Sequence, residues 1–191
     1  MQSPAELSSA PIQPRPSSFL DNLYGVWFKP KATFQSLRQF PPVGQAAAVV
    51  VLVKLLEVLR TTEGSFAPLV MIGAALQGLA GWVLLTSLLN ALAYVFGRAV
   101  ALPIVLSLTG FASVPWLLIA PALALGPPLS GFLVLAVLLW FVVWQVWAAA
   151  VAFELPRQQL ALLIPLTLVG GLVALGWLVN GVGFLSGLPE A

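Results

Sequence analysis

From Val43 onward the sequence is a succession of long apolar segments, separated by short gaps that hold Gly, Pro or single charges. About 20 such residues make a helix long enough to cross a hydrocarbon core about 30 Å thick, and lipid offers no hydrogen bonds to an open backbone. The expected fold is therefore an all-α membrane protein, a five-helix transmembrane bundle. Its spans fall at about 43–60, 69–95, 104–125, 129–152 and 160–180 within a membrane domain of 43–185, followed by a short tail at 186–191.

Composition narrows the function. Charged residues make up 7% of the chain and hydrophobic ones 60%, against about 25% charged in soluble domains. In 191 residues this leaves no room for a soluble catalytic domain. Eight basic and six acidic residues are too few for a nucleic-acid footprint, so no nucleic-acid partner is expected. Cys and His are absent, which removes disulfides, thiol chemistry, His-held haem and the usual zinc sites. No catalytic, cofactor or metal residue can be assigned, and the chain is read as a non-enzyme.

Residues 1–18 carry Pro4, Pro11, Pro14 and Pro16 and little to bury, the composition of a disordered cytosolic tail. They have no apolar h-region, so a secretory signal is not expected and insertion is assigned to the first span. Residues 19–42 mix aromatic and basic groups, as segments at a membrane surface do. Within them Phe34, Leu37 and Phe40 recur at three-residue steps and Pro41-Pro42 stops the pattern, which predicts a short amphipathic N-terminal interfacial helix. It either lies on the membrane or packs on the cytosolic ends of the bundle. Trp27, Phe28, Lys29, Lys31 and Phe34 are the candidate membrane-surface or partner contacts.

The first span holds Lys54 and Glu57, three residues apart and able to pair across one turn. Two readings stand: a pathway through the bundle, or headgroup charges with Lys54 snorkelling. Gln77 and Asn90 in the second span, Gln145 in the fourth and Asn180 in the fifth can hydrogen-bond between helices. Pro115 and Pro121 predict a kink in the third span, while Trp140, Trp144 and Trp147 mark the fourth. Under the positive-inside rule, Arg15, Lys29, Lys31, Arg38, Arg98 and Arg157 place the N-terminus in the cytosol, and an odd number of spans puts the C-terminus on the opposite side.

Three places carry a resemblance. They are Leu23-Tyr24-Gly25-Val26-Trp27-Phe28-Lys29-Pro30-Lys31-Ala32-Thr33-Phe34, then Phe96-Gly97-Arg98 with Gly110-Phe111-Ala112-Ser113-Val114-Pro115, and finally Ala148 through Pro165. Together they resemble the Yip family of small multi-pass membrane proteins, named for interaction with Ypt/Rab GTPases, and especially its bacterial members. The resemblance implies five spans, a cytosolic N-terminus and no catalytic residues. It points to a membrane scaffold or adaptor in membrane organisation, trafficking or complex assembly. The expected partners are the lipid bilayer and a membrane protein, which includes a second copy of the chain. The rival class is a small transporter or permease subunit using Lys54, Glu57 and the proline-bearing third span. Plasma and internal membranes are not distinguished.

Overall fold

Ser18 opens the first helix by local chemistry. The Asp21 N–H donates to Ser18 Oγ at 3.2 Å and the Ser18 N–H donates back to the Asp21 carboxylate at 3.2 Å, a capping box. The computed structural model describes residues 18–61, 68–98 and 100–154, with 158, 159 and 165, and the regular elements among them are all helical. Helix α1 (Phe19–Phe28) ends at Lys29, and Pro30 starts α2 (Pro30–Gln39) at a first-turn position that needs no N–H. The two helices touch where Gly25 meets Thr33: a Cβ on Gly25 would lie 2.3 Å from Thr33 Oγ1.

Helix α3 (Val43–Thr61) follows the Pro41-Pro42 stop, and α4 (Pro68–Val95) follows it. Gly97, at φ +74°, lets the chain close α4: the Arg98 N–H donates to the Ala93 carbonyl at 3.1 Å and the Gly97 N–H to that of Tyr94 at 2.9 Å. This is a Schellman cap, and its left-handed residue favours glycine. Helix α5 (Leu102–Phe111), a 3-10 segment (Val114–Leu118) and α6 (Ile119–Ala124) come next, and α7 (Leu129–Phe153) completes the described bundle.

Among the described residues three stretches are long and apolar enough to cross a membrane, Pro68–Val95, Leu102–Ala124 and Leu129–Phe153, so the chain is an integral membrane protein. The middle one is the centre of the bundle, with 56% of its apolar window buried against 11% and 17% for the others. Residues 105–112 are all buried, as an all-round apolar helix must be. Gly110 permits this: a Cβ there would come within 2.8 Å of Ala46 Cβ and 3.1 Å of Trp82, so α3 and α4 both close onto it. Helix α3 has 19 residues but carries Lys54, Glu57 and Arg60 in its C-terminal half, and it is not among the three. The expected fifth span, with Gly170, Gly171 and Asn180, lies outside the described residues.

The structure alters two expectations. Where a kinked but continuous third span is predicted, α5 stops at Phe111 and the chain tightens into the 3-10 segment. Pro115 has no N–H for the Phe111 carbonyl and its ring crowds that group. The restart at Ile119 then puts Pro121 in the first turn of α6, where proline is tolerated. In α2, Phe34 and Leu37 are buried as one face, but Phe40 is 58% exposed, because at φ −128° it has already left the helix.

The N-terminal helices are held along α7 by aromatic rings. Trp140, Trp144 and Trp147 form one row with edge-to-face contacts at 5.6 and 5.7 Å. Trp27 of α1 adds to Trp140 at 4.9 Å and Phe34 of α2 to Trp147 at 6.2 Å. Edge-to-face pairs of this kind contribute about 0.5–1.5 kcal/mol each beyond area burial.

At the end of the row Arg38 of α2 pairs with Glu154, the left-handed residue that caps α7 at φ 50°. Hydrogen bonding from Arg38, and then its charge, hold the Glu154 carboxyl below the usual carboxylate range. A carboxylate whose pKa is lowered on folding stabilises the fold fully above its unfolded value of about 4.3 and ceases to do so as the pH falls through the lowered value. The melting temperature in detergent is therefore expected to drop over that acidic window. Glu154→Gln should lower it at neutral pH and abolish that component of the pH dependence, which parallel melts of both chains across pH 3–7 will measure.

Candidate functional site

The break after α5 leaves backbone groups that need partners. The Ser113 N–H donates to the Gly110 carbonyl at 3.1 Å instead of reaching back four residues, so the Thr109 carbonyl has no helical donor. Two side chains replace it: Ser113 Oγ donates at 3.1 Å and Gln145 Nε2, from α7, at 3.2 Å. The amide nitrogen of Gln145 also lies 3.4 Å from Ser113 Oγ. The reversed amide would set its oxygen against a carbonyl.

The Thr109 side chain is equally committed. Its hydroxyl donates to the Val105 carbonyl at 2.8 Å and accepts from Trp82 Nε1 at 3.1 Å. Thr86 Oγ1 lies 3.2 Å away, and since the Thr109 proton is used, Thr86 is the donor. One threonine thus joins α4, α5 and α7. Buried polar groups satisfied in this way fix a unique packing, at about 0.6–2 kcal/mol per interhelical bond.

This polar seam forms one wall of a groove of about 450 Å³ between α3, α4, α5 and α7, within the size range of small-molecule sites. Val50, Leu85, Leu89, Phe141 and Val142 make most of its surface apolar, and Lys54 and Gln77 stand at one end. Lys54 Nζ pairs with Glu57 at 2.9 Å, both side chains part-exposed. The lysine stem crosses Gly78 so closely that a Cβ there would lie 2.4 Å from Lys54 Cγ.

Among the candidates read from sequence, Lys54, Glu57 and Gln77 therefore gather at one end of the groove. Asn90 lies apart, with its Oδ1 sealed from solvent and without a hydrogen-bond partner. On α1 Phe28 is exposed and its ring lies 4.6 Å from Tyr24. Lys29 and Lys31 are also exposed, and Trp27 is half-buried against Trp140. Phe34 is fully enclosed by the bundle, so it holds α2 in place instead of presenting a surface. The hub residue Thr109 carries no signal in the sequence, because a threonine in an apolar span reads as a neutral filler.

Chemically the groove has one titratable group in its lining, Lys54, and no nucleophile beside a base. Among the described residues no three His, Cys, Asp or Glu side chains converge as metal ligands do. The arrangement accommodates an apolar body and hydrogen-bonds or charge-pairs one end of it. Neither a family model, nor a curated protein, nor a solved structure matches this chain.

Gln145→Leu should cost about 1 kcal/mol, because Ser113 still serves the Thr109 carbonyl. Combined with Ser113→Ala it leaves that carbonyl without a donor, and the loss should exceed the sum of the single changes. Unfolding of the four chains in a mixed-detergent titration measures the difference.

Proposed function

We propose that this chain is a non-enzymatic integral membrane scaffold or adaptor of the Yip type, with five spans, a cytosolic N-terminus and the C-terminus on the opposite side. It acts in membrane organisation, trafficking or the assembly of membrane complexes. The observation that carries this reading is the outer face of α1: Leu20, Tyr24 and Phe28, at four-residue steps, are 71, 59 and 68% exposed. Two exposed lysines, Lys29 and Lys31, border that stripe. An apolar stripe with a basic edge suits a membrane surface or a partner helix lying at one. The inner face, through Trp27 and Phe34, ties the same element to α7. A protein partner that engages the stripe is thereby coupled to the membrane bundle.

A second reading, a small transporter or permease subunit, is favoured by the groove beside the broken central helix with Lys54 and Glu57 at its end. Interrupted helices line substrate sites in transporters.

Crosslinking from positions 20, 24 and 28 in membranes, followed by mass spectrometry, is expected to recover one reproducible protein partner, a second copy of the chain included. A triple change of Leu20, Tyr24 and Phe28 to Ser should abolish that recovery without affecting insertion, because none of the three is in the core. Recovery unaffected by the triple change overturns the scaffold reading. Ion flux into proteoliposomes that disappears in Glu57→Gln would establish the transporter instead.

A further inference from the structure

The groove described above has a shape and a polarity that specify its occupant. Along α4 it extends from Gln77 to Leu89, twelve residues or about 18 Å of helix rise. Space of about 450 Å³ drawn out over that length is narrower than a helix, whose diameter with side chains is about 10–12 Å, and it admits an extended polymethylene chain. The sides of the groove open between exposed apolar residues of α4 and α7, Val83, Leu84, Val142 and Val143, which in a membrane face lipid. Gly81 lies in the lining and a Cβ there would meet nothing within 4 Å, so its missing side chain is part of the open space.

The ends of the groove differ. Leu89 and Ala149 close one end without a charge. At the other, Lys54 lines the groove and Arg60 follows six residues later, exposed, at the end of the same helix. Lys54 is the one charged residue in the lining, and its ion-pair partner Glu57 is not among the lining residues. The groove therefore presents an ammonium at one end and only apolar groups at the other, the polarity of a lipid with its headgroup at Lys54.

We propose that this groove binds one acyl chain of an anionic phospholipid, with the phosphate held at the Lys54 end and the chain running along Leu85 and Phe141 towards Leu89. The inference is independent of the scaffold reading: it concerns a different face of the bundle, and either holds without the other.

The test uses the purified full-length chain and native mass spectrometry, titrating phosphatidylglycerol and phosphatidylcholine with identical acyl chains. One phosphatidylglycerol per chain is expected to be retained in preference to phosphatidylcholine. Lys54→Gln should reduce that preference about fivefold, the effect of removing one basic residue near an anionic headgroup. Glu57→Gln, which releases Lys54 from its partner, should raise it. Gly81→Leu and Gly81→Phe grow into the open space and should abolish retention of both lipids, while the chain stays monodisperse. The proposal is overturned if retention is unchanged in both Gly81 variants, if the lipid preference ignores both charge changes, or if no lipid is retained. In the last case, a photocrosslinker at position 81 would identify the occupant as another segment of this chain or a second copy.

Discussion

Pro115 sets the constraint around which the bundle is built. A proline there cannot donate to the Phe111 carbonyl, and the helix that passes through the middle of the molecule has to stop. In water the carbonyls at such a break would be solvated; among packed helices they need protein donors. The Thr109 carbonyl, which loses its helical donor where the chain tightens, finds one nearby in Ser113 and another 36 residues away in Gln145. The interruption is therefore also what attaches α7 to α5. Thr109 extends the attachment to α4 through Trp82 and Thr86. A helix break that looks like a defect in one span supplies the polar contacts that align three of them.

Small residues and aromatics complete the packing by opposite means. Gly110 removes a side chain so that Ala46 and Trp82 can approach α5, and Gly78 does the same for the stem of Lys54. The tryptophans of α7 instead add rings, and the rings of α1 and α2 fit against them. Lipid is as apolar as the helix surfaces, so association depends on such fit and on hydrogen bonds more than on burial of oil from water. The Arg38–Glu154 pair, exposed and salt-sensitive, closes the end of this contact and contributes its small, pH-dependent share.

What could be read from the sequence follows from the range of each interaction. Hydropathy is local and places helices at Pro68–Val95 and Leu129–Phe153 where the second and fourth apolar segments lie. Proline chemistry is local as well, and it located the interruption at Pro115 while understating it as a kink. The Ser18–Asp21 capping box was also present in the sequence, hidden within a segment whose aromatic content suggested only a surface. The partners of Trp27, Phe34, Thr109 and Gln145 were not legible, because each lies on another helix and no periodicity records which faces meet. Phe40 shows the limit of periodicity itself: three-residue spacing with Phe34 and Leu37 groups it with them, yet the helix ends one residue too soon.

The contact of Arg38 with Glu154 joins positions 116 residues apart, and that separation has a consequence for biogenesis. A ribosome adding about 5–20 residues per second delivers α1 and α2 roughly 10 seconds before the α7 face that receives them. During that interval Trp27 and Phe34 have no tryptophan row to rest on, and the growing chain must shelter them in the bilayer surface or in an insertion factor. The last described helix to be made is thus the one that gathers in the first, and a chain stalled before Trp140 would carry its N-terminal aromatics unpartnered.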